Sequence, residues 1–115
     1  MTHSLVTAIR LERADETAIV VIADINTTTT ASQVQDLELV IAASSTHTIT
    51  GVTAIKELTV IPHDDHQINV IITEGLSTYT VKSTKLVMFR GVAFTSVTLS
   101  NPGVATIMVK VVVAG

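Results

Sequence analysis

Val104-Ala105-Thr106-Ile107-Met108-Val109-Lys110-Val111-Val112-Val113-Ala114 is the stretch that decides the fold. Ile107, Val109, Val111 and Val113 fall on one side of a two-residue rhythm, and Thr106, Met108 and Lys110 on the other. Successive side chains of a strand point to opposite faces, so this rhythm predicts a β-strand with one apolar face. The residue types agree. Nineteen threonines, seventeen valines and twelve isoleucines fill 48 of the 115 positions. All three branch at Cβ, which restricts χ1 and suits a pleated surface better than a helix.

Working back from that stretch, strand signals recur every ten to thirteen residues between polar or Gly/Pro breaks. Leu5, Thr7, Ile9 and Leu11 alternate with Val6, Ala8, Arg10 and Glu12, and a charged turn is expected at Arg13-Ala14-Asp15-Glu16. Thr17 to Ile25 is nearly all apolar, as in a strand covered on both faces. Asn26 to Gln33 reads as a polar loop, and a third strand starts at Val34 or Leu37 and runs to Ala42, with Leu37, Leu39 and Ile41 on one face. Ala43 to Thr50 is either a loop or a weak edge strand. Val52 to Ile61 alternates again, up to the turn Pro62-His63-Asp64-Asp65-His66-Gln67, and a return strand from Ile68 to Thr73 would make a hairpin. Thr78 to Lys82 and Leu86 to Arg90 are short strands, either separate or continuous through a bulge, and Gly91 marks a break or bulge. Val92 to Ser100 leads into the turn Asn101-Pro102-Gly103.

The expectation is an all-β chain: one β-sandwich domain over residues 1–115 with eight or nine strands, Ig-like or a compact jelly roll, with a closed barrel as the alternative. The core must be aliphatic, because Tyr79, Phe89 and Phe94 are the only aromatic residues. An antibody-type domain is excluded by the absence of Cys and Trp.

Charge narrows the partners. The formal net charge is −3, and the seven Lys and Arg residues are scattered, so no nucleic-acid footprint is expected. The longest strictly apolar run, Ala18 to Ala23, is far short of a spanning helix, and no membrane partner is expected. The N-terminus lacks the basic and apolar regions of a signal peptide. Charged residues make up 15% of the chain, against roughly 25% in ordinary domains. Thr and Ser replace the missing charge. A free monomer relies on charge to stay soluble and to protect its sheet edges, whereas an assembled subunit hides both.

Candidate chemistry is sparse. His63, Asp64, Asp65 and His66 form the one dense group of potential ligands for Zn²⁺, Mn²⁺ or Ni²⁺. A tight turn seldom aims four adjacent side chains at one point, so they read as a solvated turn. Only His47 and His3 are left to complete a shell through folding. There is no G-x-S-x-G elbow, P-loop or G-x-G-x-x-G, no cofactor is implied, and an enzymatic role is not expected. Asn26-Thr27-Thr28 matches the N-glycosylation pattern but reads as a surface tip. Thr46-x-Thr48-x-Thr50 puts three hydroxyls on one strand face, a single rung of the threonine ladders seen in ice-binding proteins, and reads as a polar face. Arg10, Glu12, Arg13, Asp15 and Glu16 read as a solvated turn, with a docking patch as the alternative.

The segment from Phe94 to Gly103, followed by Val104 to Val111, resembles the closing hairpin of small all-β bacteriophage structural proteins. That resemblance implies a Thr/Val-rich, Cys-free sandwich that decorates a capsid or sits in a neck, tail or fibre. It brings no catalytic residues. The resulting expectation is a capsid-decoration or capsid-associated subunit of a virion, made in the host cytoplasm. It would bind its own copies and a major capsid or other virion protein, through an edge strand presenting Val104, Thr106, Met108, Lys110 and Val112. A bacterial Ig-like adhesion module, or another phage neck, tail or fibre component, is the alternative.

Overall fold

The computed structural model describes residues 2–14 and 19–115, with their side chains except at positions 13, 19–25 and 91–93. Ten strands run through them: β1 (His3–Ala14), β2 (Ile19–Ala31), β3 (Val34–Ile41), β4 (Thr46–Thr48), β5 (Ile55–Pro62), β6 (Ile68–Glu74), β7 (Ser77–Ser83), β8 (Val87–Phe94), β9 (Ser96–Ser100) and β10 (Ile107–Ala114). No helix occurs among the described residues.

The last eight strands pair in nested fashion: β3 with β10, β4 with β9, β5 with β8, β6 with β7, all antiparallel. The chain doubles back at the β6–β7 turn, and the doubled ribbon wraps into two four-stranded sheets. Their orders are β3-β10-β5-β8 and β4-β9-β6-β7. Eight strands paired this way form a jelly roll, so of the two expected sandwiches the Ig-like one gives way. The turn at the fold of the ribbon holds two residues, Gly75 and Leu76, because Glu74 pairs with Ser77. Gly75 has φ +60° and Leu76 does not enter positive φ, the arrangement of a type II′ turn.

The core forms between the sheets. Leu58, Val60, Val109, Val111 and Val113 face Ile68, Val70, Ile72, Val97 and Leu99, all buried. These are the alternate positions expected from the sequence, and β9 and β6 bury every second residue. Burying each such side chain is worth roughly 1.5–3 kcal/mol. Asn101 is the polar counterpart. Buried at the end of β9, its Nδ2 donates to the carbonyls of Ile41 (3.0 Å), Ala42 (3.1 Å) and Ala105 (2.8 Å), and its Oδ1 accepts from the Gly103 N–H (3.0 Å). One side chain thus ties the β3–β4 connection to the β9–β10 connection.

Several expectations change. The two turns read as hairpins, at Pro62–Gln67 and Asn101–Gly103, are crossings between sheets: β5 and β10 lie in one sheet, β6 and β9 in the other. Turn chemistry is local and does not encode which sheet the returning strand joins. For the same reason β7 and β8 are separate strands in different sheets. Asn26–Ala31 is strand, not loop, because those residues find partners in His3–Ala8; only Ser32 and Gln33 connect it to β3. A run of threonine forms strand when a ladder is available. The strand expected from Val52 starts at Ile55, after positive φ at Gly51 and Ala54. The bulge expected at Gly91 is present. Between Ile55↔Phe94 and Glu57↔Arg90, residues 91–93 lie opposite Lys56 alone. Arg13 and Ala14 belong to β1, while Asp15 and Glu16 fall outside the described residues.

Candidate functional site

β1 and β2 pair only with each other, as a two-stranded ribbon apart from the sandwich sheets. At about 3.3 Å per residue, the twelve-residue β1 is about 40 Å long. Its register runs from His3↔Ala31 to Leu11↔Ala23, then shifts so that Glu12 faces Val21 and Ile22 is the extra residue. Leu5, Thr7 and Ile9 of β1, with Thr27, Thr29 and Ala31 of β2, are the more buried positions, and Val6, Ala8, Arg10, Asn26 and Thr28 the exposed ones. The ribbon therefore lies with one face on the sandwich.

It rests on the outer face of the sheet containing β10. Leu58 points into the core, so its neighbour Glu57 must point outward; yet Glu57 is 0% exposed, because the ribbon covers it. Its carboxylate meets both ribbon strands. Thr7 Oγ1 donates to Oε1 at 2.9 Å, and Thr29 Oγ1 donates to Oε2. Arg90, paired with Glu57 across β5 and β8, brings its Nε to 3.7 Å from Oε2 and donates from Nη2 to Thr29 Oγ1 at 3.1 Å. The Thr29 hydroxyl thus donates a hydrogen bond to the carboxylate and accepts one from the guanidinium. Both carboxylate oxygens are occupied, so this group is placed to fasten rather than to act as a base or ligand. At the ribbon's root, Gln33 and Gly115 exchange two backbone hydrogen bonds of 2.9 Å each.

Beside the fastening, a cleft of about 290 Å³ separates the ribbon from the sheet, lined by Leu5, Ile9, Thr59, Leu86, Met88 and Val112 among others. Along β1, exposure rises between Ile9 and Leu11. Leu11 shares the alternation of Leu5, Thr7 and Ile9 but is 54% exposed. On the opposite face Val6 is 68% exposed. A second cleft, of about 410 Å³, lies at one end of the sandwich between His66, Gln67 and the Asn101–Ala105 connection. The polar atoms of Asn101 there are already engaged.

The residues singled out from the sequence disperse. His63, Asp64, Asp65 and His66 form a turn in which the His66 N–H donates to the His63 carbonyl, both aspartates adopt positive φ, and Asp65 pairs with Lys85 at 2.6 Å. No group of three or more His, Cys, Asp or Glu side chains suited to a metal ion occurs among the described residues, so neither His3 nor His47 completes that turn. The edge expected along Val104, Thr106, Met108, Lys110 and Val112 does not form. β10 lies inside its sheet, with β3 on one side and β5 on the other, and has no free edge. Val104 and Thr106 precede the strand and are exposed. Met108 lies opposite Val40 on the outer face, Lys110 sits 3.6 Å from Asp36, and Val112 lines the cleft under the ribbon. Asn26, Thr27 and Thr28 are ribbon residues rather than a loop tip. Thr46 and Thr48 lie on the edge strand β4, with Thr48 Oγ1 3.2 Å from Thr98 Oγ1.

Glu57, Arg90 and Thr29 were not legible as a set. The available signal was the alternation of β1, which puts Thr7 between Leu5 and Ile9 on the buried side. A polar residue there needs a polar partner beneath it.

No family model and no curated protein matches the chain. Among solved structures it is similar to a cupin domain from Bordetella pertussis Tohama I, at 14% identity and a TM-score of 0.45, over 93% of this chain and 91% of that one. The jelly-roll order given above rests on the strand pairs themselves.

Proposed function

We propose that the chain is a virion structural protein, a capsid-decoration or capsid-associated subunit. It would stabilise a particle by contacts with its own copies and with a major capsid or other virion protein. The role is passive, with no turnover, no cofactor and no nucleic-acid or membrane partner. The observation that supports it best is the ribbon: a two-stranded sheet apart from the sandwich sheets, fastened to them at Glu57, with Val6 and Leu11 exposed. An isolated two-stranded hairpin is marginal in water, so a ribbon of only two strands gains stability from a neighbour. Low charge and a threonine-rich surface fit a subunit whose faces are covered in an assembly. Jelly rolls serve many functions, so the fold adds no weight by itself. Modest apolar interfaces, each worth roughly 25 cal/mol per Å², hold when repeated around a shell.

Mass spectrometry of purified virus particles tests this. The expected result is the protein at high copy number, comparable to the shell protein. Absence from particles overturns the proposal. A few copies per particle would instead place the chain in a neck, tail or fibre.

A further inference from the structure

We infer that the free edge of β1 pairs antiparallel with β1 of a second copy, about a twofold axis at Leu11, joining two ribbons into one four-stranded sheet. This rests on the self-association proposed above and names the surface that performs it.

Three observations converge on that edge. Among the described residues, β1 has β2 on one side and no strand on the other, so one row of its backbone groups has no strand partner there. Such an edge is a template for another strand unless it is blocked. Leu11 is as exposed as a surface residue while lying on the buried alternation. In register with the part of β1 from Glu12 onward, β2 carries Ile19-Val20-Val21 with Ile22 as the extra residue. Four consecutive apolar residues have no polar face to offer, which is the pattern of a strand covered on both sides.

The charges select the partner. Edges that repel other strands usually carry like charges, most often lysine. Here Arg10 and Glu12 flank Leu11 with opposite signs, and both are exposed. Within one chain they already meet, Nε to Oε1, at 2.8 Å. Antiparallel pairing centred on Leu11 places Arg10 opposite Glu12 of the second copy, and Glu12 opposite its Arg10. The contact is self-complementary, as an isologous interface requires. Arg10 and Glu12 would then form a closed square of four alternating charges on one face of the joined sheet, with the two Leu11 side chains side by side on the opposite face. A parallel pairing in register would set like charge against like.

The chain contains no cysteine, so a Leu11→Cys variant carries a single reporter. Directly opposed residues of an antiparallel pair have Cβ atoms about 4.5–5.5 Å apart, close to what a disulfide needs. Mild oxidation of the full chain is expected to convert most of this variant to a covalent dimer. Val104→Cys, on an exposed loop, should crosslink at least tenfold more slowly. Arg10→Glu alone and Glu12→Arg alone are expected to weaken association about tenfold by light scattering. The double exchange is expected to restore both association and, in the Leu11→Cys background, crosslinking. If the protein self-associates but Leu11→Cys crosslinks no faster than Val104→Cys, the ribbon pairing is overturned and self-association stands. If the unmodified protein stays monomeric at millimolar concentration, the self-association proposal fails, and this inference with it.

Discussion

Glu57 and Arg90 sit directly opposite one another on β5 and β8, yet the glutamate side chain is wholly buried while that of the arginine is 45% exposed. The asymmetry comes from the ribbon, which covers one partner and leaves the other at its margin. Covering a carboxylate is costly unless its oxygens are matched, and here Thr7 and Thr29 match them.

The threonines should therefore matter more than the arginine. Thr29→Val removes the hydroxyl that both donates to Glu57 and accepts from Arg90, leaving a buried carboxylate oxygen short of a donor. The expected loss is about 1–3 kcal/mol in urea denaturation. Arg90→Met should cost about 1 kcal/mol or less, because solvent screens the half-exposed guanidinium. The reverse order would show that the ion pair, not the hydroxyls, fastens the ribbon.

Glu57→Ala should loosen the ribbon while leaving the sandwich folded. Two threonine hydroxyls lose their acceptor, at a cost of about 1–3 kcal/mol. Limited proteolysis should then cut within residues 3–31 well before it cuts the sandwich. Uniform cleavage along the chain would show that the ribbon and sandwich unfold together.

Asn101 makes a sharper case. Asn101→Asp keeps the shape but turns a donor toward the carbonyls of Ile41, Ala42 and Ala105 into an acceptor. With three carbonyl oxygens facing a carboxylate, the melting temperature should fall by roughly 10 °C or more. A shift below about 3 °C would mean that the two connections hold without this side chain.

Leu58 and Leu76 separate burial from residue type. Leu58 is fully buried between the sheets, while Leu76 stands free at the β6–β7 turn. Leu58→Ala should cost about 2–5 kcal/mol. Leu76→Ala should stay within about 0.5 kcal/mol of the parent by chemical denaturation.

Zinc binding by the His63–His66 turn should be weak. Asp65 is engaged by Lys85, and no third ligand stands nearby among the described residues. After dialysis against Zn²⁺ and desalting, the protein should retain well under one ion per chain, and a His63→Ala/His66→Ala double variant should retain the same amount. One ion per chain, lost in the variant, would show that the turn binds metal.

What could be read from the sequence follows the range of the forces involved. The inward face of β10 was legible because alternation is written residue by residue, and the aliphatic core was legible because aromatic residues are few. The misread features all depend on distant partners. Lys56-Glu57 looks like a solvated pair until Thr7, fifty positions earlier, is laid over it. Asn26–Ala31 looks like a loop until His3–Ala8 is set beside it. The tripeptide Asn101-Pro102-Gly103 announces a turn, but whether β10 then joins β9 or crosses to β5 is decided by the whole wrapping of the ribbon. Leu11 shares the rhythm of Leu5 and Ile9, and rhythm alone does not tell that it is the exposed member of the row.

The position of β10 also constrains how the molecule comes into being. Residues 107–114 occupy the middle of a sheet whose other members lie earlier in the chain. During synthesis, β3 and β5 emerge with a gap between them that nothing can fill until those eight residues have cleared the ribosome. Closing that gap joins segments roughly fifty to eighty positions apart, a slow step for a chain dominated by non-local pairs. Until then the half-built sheet presents bare edges to every other nascent copy, so the cell must shield the polypeptide during the interval in which it is most adhesive.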